Sequence, residues 1–402
     1  MISLKEAQQR ITRESNKELG VEVINLQESV GRILEHSLFA RFDQPVFTNS
    51  AMDGFAVRAE DVESASRENP QSLPIQSYQS AGSSFSVLQE GFVQEIATGA
   101  PLPQGADSVV MKEEVQVKGD QAYFSKPCHK GSHIRLQGEY IQKGSLIFRK
   151  GKKIEPNDLG VLASFGEKRL SVYKKVKVSY LATGNEIISL EEQRQEHHIY
   201  NSNAFSLLGL FQKEGCEFED EGISPDEPFK LSEKIKQIFL KEPQFLILTG
   251  GVSVGKHDFV KEILEELGAR IIFHKVSIKP GKPILFSRKA DTFIFGLPGN
   301  PLSAQVGFYH FIYPLICKMQ NRCCYFLEEK NAYVTEEIHQ QKRHVFIPGV
   351  LKSNLGVESV TPLKLSSGNV LSLSLANCFI SIPEGSDTVL QDTLVSVYPL
   401  EA

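Results

Sequence analysis

The rhythm of apolar and polar positions changes along the chain. Leu4, Ala7 and Ile11 share one helical face behind the capping-box spacing Ser3-Leu-Lys-Glu6. The run VEVINL over 21–26 predicts a strand, and Val30 to Leu34 a short helix. After the linker Asp43-Gln-Pro-Val-Phe47, the stretch Asn49 to Gly54 shows no periodic apolar face. Short apolar runs broken by Gly, Pro, Ser and Asp continue to about residue 133 and predict a small β-domain. Gly144 to Lys150 and Asp158 to Phe165 return to strand and helix in the style of the N-terminal segment. One domain is therefore expected to be inserted in another.

From Lys174 the pattern alternates. KVKVSYL, FEDEGIS, FLILT, RIIFHKVSI, PILFS and TFIFGL read as strands. Asn201 to Glu214, Lys230 to Leu240, Asp258 to Leu267 and Pro301 to Met319 read as helices. Repeated strand–helix units argue a mostly parallel sheet with helices on both faces. Beyond about residue 323 short strands return in VFIPGVL, NCFISIP and LVSVYPL. The expected fold is multidomain α/β plus β. It has a central three-layer α/β/α domain with a mostly parallel sheet, an inserted small β-domain, a mixed N-terminal domain and a C-terminal β-barrel-like domain. The expected limits are 1–43 with 134–172, 44–133, 173–322 and 323–402.

Chemistry concentrates at one strand end. Phe245 to Thr249 runs straight into Gly250-Gly-Val-Ser-Val-Gly255-Lys-His-Asp258 and then a helical pattern. Such a unit aims backbone N–H groups and a helix N-terminus at one point beyond the sheet, which suits an anion such as phosphate. Gly250, Gly251 and Gly255 permit the sharp turn and the close approach of a ligand. The spacing Gly250-x-x-x-x-Gly255-Lys256 imitates a P-loop, but His257 stands where Mg²⁺ needs a hydroxyl. Nucleotide triphosphate hydrolysis is not expected.

Composition narrows the classes. A net charge of −5 with scattered Lys and Arg argues against a general nucleic-acid surface. The start MISLKEAQQRITRESNKE is charged and helix-like, not a signal peptide, and no apolar run reaches the roughly 18 residues of a membrane helix. Of six cysteines only Cys323 and Cys324 are neighbours, and no C-x-x-C occurs, so reduced thiols in a cytoplasmic protein are expected. The ten histidines form no zinc pattern, and no G-x-S-x-G elbow occurs.

Glu186, Asp226 and Asp258 each fall just past an expected strand. Together at the sheet's carboxyl edge they suit a hard cation such as Mg²⁺; singly, helix capping explains Asp226 and Asp258 as well. Lys275, Lys279 and Lys282 lie in His274-Lys-Val-Ser-Ile-Lys-Pro-Gly-Lys-Pro283. If that stretch is extended, Lys275 and Lys279 share a face and the Pro-Gly turn returns Lys282 to it. The alternative is a solvated lysine-rich strand edge, which Pro280 and Pro283 make less natural. Gly296-Leu-Pro-Gly-Asn-Pro301 is a rigid strand-to-helix turn or a pocket wall, with Asn300 able to cap the helix.

Five motifs then occur in order: Asn49-Ser-Ala-Met-Asp-Gly-Phe-Ala56, Ala97-Thr-Gly-Ala-Pro-Leu-Pro103, Gly250-Gly-Val-Ser-Val-Gly255, Lys279-Pro-Gly-Lys-Pro283 and Gly296-Leu-Pro-Gly-Asn-Pro301. In these the chain resembles the MoeA family, the molybdopterin molybdenumtransferases related to the gephyrin E domain. The resemblance spans residues 3 to 383. It implies an elongated four-domain homodimer that inserts molybdate into adenylylated molybdopterin with Mg²⁺ and releases AMP. It further implies molybdopterin adenylyltransferase and molybdoenzyme recipients as partners, with no nucleic acid and no membrane.

Residue by residue, the resemblance gives Gly250, Gly251, Ser253, Gly255, Lys275, Lys279 and Lys282 to the phosphate-bearing pterin, with Pro298 and Pro301 lining the pocket. It gives Glu186, Asp226 and Asp258 to the acidic and metal positions, and it sends Asp53 and Thr98 to the neighbouring subunit's site. Two carboxylates usual in the family are absent, at Tyr140 in Gly138-Glu139-Tyr140 and at Asn185 in Gly184-Asn185-Glu186. They leave open a non-catalytic molybdopterin-binding or scaffold protein. A related adenylyltransferase is the other alternative, and the NSAMDGFA and ATGAPLP segments point away from it.

Overall fold

The computed structural model describes residues 1–14, 19–252, 259–322, 325–339, 342–363, 368 and 370–400. They fold as two compact units, one of residues 1–36, 150–160 and 167–402, the other of 37–149 and 161–166.

The larger unit is built on six strands: β1 Lys177–Thr183, β2 Glu217–Ser224, β3 Phe245–Thr249, β4 Arg270–His274, β5 Leu285–Lys289 and β6 Thr292–Leu297. Their order is β2-β1-β3-β6-β5-β4. The first four run parallel, while β5 and β4 are antiparallel additions at one edge. Because β3 is buried at every position, its side chains serve two cores. Phe245 and Ile247 face one with Ala204, Leu207 and Phe211 of helix α1 (Ser202–Lys213). Leu246 and Leu248 face the other with Leu231, Ile235 and Ile238 of α2 (Pro228–Phe239) and Ile263 and Leu264 of α3 (Val260–Glu266). Burying each such side chain stabilises the fold by about 1.5–3 kcal/mol. These are the three layers expected.

The expected helix from Pro301 to Met319 is continuous but not uniform. An α segment, Pro301–Gly307, passes into a π turn, Phe308–Ile312, and then Tyr313–Met319. Pro314 is the second residue of that last segment, directly after the π turn. Beyond it the chain closes a five-stranded barrel: His344–Asn354, Val357–Pro362, Lys330–Val334, Leu394–Pro399, Cys378–Ile382 and back to the first. Val21–Asn25 pairs antiparallel with Arg169–Tyr173.

Two expectations fail. Val30 to Leu34 forms no helix; Ile33 and Leu34 instead make bridges to Lys153 and Val172. RIIFHKVSI is not one strand. It stops at His274 because Lys275 takes φ 74°, and Ile278–Lys279 joins the barrel beside His344–Val345.

In the smaller unit six strands run in the order Ser108–Met111, Gly54–Val57, Val93–Ile96, Gln71–Gln79, Gln121–Phe124 and Val115–Lys118. Gly54 is glycine for a steric reason: a Cβ there would lie 2.0 Å from the Val110 carbonyl oxygen. Cys128, Cys216, Cys317 and Cys378 are free thiols, and Cys323 and Cys324 lie outside the described residues. No described helix is long and apolar enough to cross a membrane.

Candidate functional site

The chain leaves β1 toward β2 on one side and returns to β3 on the other, so β1 and β3 flank the topological switch point. Open α/β sheets bind ligands in the crevice beyond the strand ends at that point. The turns that converge there follow β1 at Gly184, β2 at Pro225, β3 at Gly250 and β6 at Pro298.

Backbone crowding explains the glycines. Gly250 has φ 89°, and a Cβ on it would meet the Thr183 carbonyl oxygen at 2.2 Å. Its N–H donates to Leu297 O at 3.1 Å, which ties the β3 exit to the β6 exit. Gly251 has φ 62° and is wedged between Thr183 Cγ2 and Val260 Cγ2, each 3.0 Å from a would-be Cβ. Val260 N donates to Gly251 O at 3.4 Å, so the loop is pinched at its base. Ser253, Gly255 and Asp258, together with the P-loop-like Lys256 and His257, lie outside the described residues.

Beneath the turns runs a buried polar chain that nothing in the sequence signalled. Tyr180, fully buried in β1, donates to Asn201 Oδ1 at 3.0 Å and meets Thr249 Oγ1 at 2.7 Å. Asn201 Oδ1 also accepts from Ala204 N, capping α1. Burial pushes the phenol pKa up, so Tyr180 holds its proton at any working pH. The β3 exit and the α1 start are thereby fixed to one side chain.

Asp226 does not cap its helix. Glu227 occupies the N-cap position, and Asp226 Oδ1 accepts from Thr183 Oγ1 at 2.8 Å. Its backbone N–H donates to Asn185 Oδ1 at 3.2 Å, so the amide at 185 stitches the β1 turn to the β2 turn. Glu186 is exposed, and its carboxylate folds back to 2.8 Å from where a Gly184 Cβ would stand. Among the described residues no group of three or more His, Cys, Asp or Glu is placed to hold a metal. Glu186 and Asp226 supply the hard oxygen donors that Mg²⁺ prefers.

Lys275 is half-buried, and Lys279 and Lys282 are exposed. Val276 N donates to Lys282 O at 2.9 Å, closing the intervening Pro-Gly turn. Among the described residues none of these three ammonium groups has a carboxylate partner, which leaves them available to an anion. At the β6 exit Pro301 opens the helix, with Asn300 at the N-cap position making no side-chain cap bond. Pro298 and Pro301 are half-buried, and Asn203 Nδ2 donates to Gly299 O at 2.7 Å.

In the smaller unit Asp53 and Thr98 meet. Asp53 Oδ1 accepts from Thr98 N at 2.7 Å and from Thr98 Oγ1 at 3.0 Å. The Thr98 backbone N–H, then its hydroxyl, hold the exposed carboxyl below the ordinary range. Tyr140 is 64% exposed on a turn where Glu139 accepts from Leu136 N and Asp43 from Lys143 N and Gln137.

Comparisons with known proteins agree along the whole length. Residues 2–166 match the MoeA N-terminal region (domain I and II), 179–318 the probable molybdopterin binding domain, and 331–400 the MoeA C-terminal region (domain IV). A molybdopterin molybdenumtransferase of Haemophilus influenzae is 36% identical, covering 80% of this chain and 78% of its own. One of Staphylococcus epidermidis is 31% identical, covering 100% and 96%. A crystal structure of the molybdopterin biosynthesis moeA protein from Pyrococcus horikoshii OT3 superposes with TM-score 0.82 at 30% identity, covering 99% and 100%.

Proposed function

The chain belongs to the MoeA family, and on that premise we propose that it is a molybdopterin molybdenumtransferase of molybdenum cofactor biosynthesis. Its substrates on this reading are molybdate and adenylylated molybdopterin, and its by-product is AMP. The observation that carries the reading is the convergence at the β1/β3 switch point of crowded glycine turns with the Asp226 carboxylate, held by Thr183. Lys275, Lys279 and Lys282, which no carboxylate neutralises among the described residues, suit a phosphate-bearing ligand.

The residues then divide the work. Backbone N–H groups of the loop from Gly251 onward and the three lysines orient the phosphates of the pterin adenylate. Glu186, Asp226 and Asp258 would hold Mg²⁺, which when bound would offset phosphate charge and polarise the phosphoryl group. Water breaks the phosphoanhydride P–O bond, its oxygen passing to phosphorus and AMP leaving. Pro298 and Pro301 wall the pocket, and Ser253 and Gly255 extend the phosphate contact. Asn185 stands where the family usually has a carboxylate, and here its amide oxygen does backbone work that either group can do. That favours an active enzyme over a scaffold.

The finer reading is a cytoplasmic homodimer of four-domain subunits, with the limits given above, in which Asp53 and Thr98 serve the neighbouring subunit's site. Molybdopterin adenylyltransferase supplies the substrate, and molybdoenzymes receive the product. The decisive assay is AMP release by purified protein from adenylylated molybdopterin, with and without molybdate and Mg²⁺. Release that needs both and disappears in Asp226→Ala and Asp258→Ala supports the enzyme. Tight pterin binding with no release under any oxyanion would leave a carrier.

A further inference from the structure

The glycine loop departs from β3 through Gly250, Gly251 and Val252, and its first turn is held by contacts from three directions. Gly250 is locked against Thr183 O and bonded to Leu297 O. Val252 is buried and folds back over the sheet: a Cβ on Gly296 of β6 would lie 2.6 Å from Val252 Cγ1. The remaining contact comes from a side chain. His274, the last residue of β4, places Nε2 3.1 Å from the Val252 carbonyl oxygen.

A carbonyl oxygen only accepts, so Nε2 carries the hydrogen of this bond. The bond is long-range in sequence, spanning 22 residues, and it joins the loop to the strand that leads into Lys275. Among the described residues His274 is the hydrogen-bond partner of Val252 O, and a carbonyl of a buried residue loses such a bond at a cost. Strand β4 is antiparallel to β5 at the far edge of the sheet from β1. Its terminal side chain is thus the means by which that edge reaches the switch-point loop.

We propose that His274 is a positioning residue for the phosphate-binding loop: by donating from Nε2 to Val252 O it fixes the turn whose N–H groups receive the substrate phosphate. The proposal rests on the functional reading above. It assigns His274 no contact with substrate. Its effect on catalysis runs through Gly250–Val252.

The test uses the full-length protein, with His274→Phe to remove the donor and His274→Gln to restore an N–H near the same point. Two readouts are taken. Hydrogen exchange of the Gly250, Gly251 and Val252 amides needs no substrate. KM and kcat for AMP release from adenylylated molybdopterin report the consequence. Expected are exchange faster by about tenfold and KM higher by about tenfold in His274→Phe, with kcat within about twofold, as for lost uniform binding. His274→Gln is expected to recover both to within about threefold. Unchanged exchange in His274→Phe, or a His274→Gln protein that behaves like His274→Phe, overturns the positioning role. If the unaltered protein releases no AMP, the functional reading fails, while the exchange comparison still decides what His274 does to the loop. Should His274→Phe not fold, the exchange and KM of His274→Gln against the unaltered protein decide, since a donor-independent role predicts loss in both.

Discussion

Two turns hold carboxylates expected to act, and they are built in opposite ways. Asp226 sits over a buried scaffold, with Thr183 bonding its oxygen and the Tyr180–Thr249–Asn201 chain fixing the strands beneath. Asp53 stands in the open and takes both of its donors from the single residue Thr98. Position is obtained in the first case from packing and in the second from local chain geometry. The consequence is separable: disturbing the first should cost fold and function together, while disturbing the second should cost function alone.

The strongest break is expected at Gly250→Ala. The added Cβ meets Thr183 O at 2.2 Å in a backbone with φ 89°, so β1 and β3 must part. A loss of about 3 kcal/mol or more is expected, in the range of overpacking plus backbone strain. Urea unfolding at fixed m-value measures it, and a loss under about 1 kcal/mol would show the turn relaxing freely.

Asp53→Asn is the counterpart. AMP release is expected to fall about a hundredfold, the scale of a lost charged catalytic group. The thermal midpoint should move by less than about 2 °C, because an exposed substitution away from the core changes little. A midpoint shift as large as that of Gly250→Ala would erase the contrast between the turns.

Tyr180→Phe refines the buried side. Removing the hydroxyl leaves Thr249 Oγ1 and Asn201 Oδ1 each short of one bond inside the core. The expected loss is about 1–3 kcal/mol, with activity falling in step as the β3 exit loosens. Paired unfolding and AMP-release measurements check it; full stability with lost activity would place Tyr180 in direct contact with the chemistry.

Much of the architecture was legible because β3 announces itself: five consecutive buried residues followed by two glycines admit few other readings. The layered domain and terminal barrel followed from the same change of rhythm. RIIFHKVSI misled because its apolar residues share one core while its two ends join different sheets. Phe273 packs in one sheet and Ile278 pairs in another, and only φ at Lys275 marks the handover. The Asp226 contact was not legible either, since Thr183 lies 43 residues away and register decides the pairing. Asp53 and Thr98 are 45 residues apart, and it was a family resemblance, not a local pattern, that named them together. His274 and Tyr180 carry no mark at all: a histidine or tyrosine in a strand reads as packing until its partners are seen.

The smallest effect at neutral pH separates the two kinds of site by titration. His310 lies in the π turn, buried, stacked on Phe346 at 3.9 Å with Nε2 unpartnered. Burial, then the nearby His344, push its pKa down to about 3. Its folded-state pKa lies below the unfolded value of roughly 6.5, so the unfolded chain takes up the proton first on acidification. The stability that goes with neutral His310 is therefore whole above about pH 6.5 and shrinks as pH falls from there toward the folded pKa. Between pH 7.5 and 5 the loss from this one group is about 2 kcal/mol, at about 1.4 kcal/mol per pH unit. Asp53 behaves differently: with its pKa lowered by Thr98 it keeps its charge across that window and adds nothing to the slope. Urea unfolding at the two pH values should show His310→Phe, which retains the stacking volume without the proton, losing about 2 kcal/mol less than the unaltered protein. An identical pH slope in both proteins would mean that the buried core, like the exposed turn, is indifferent to acid.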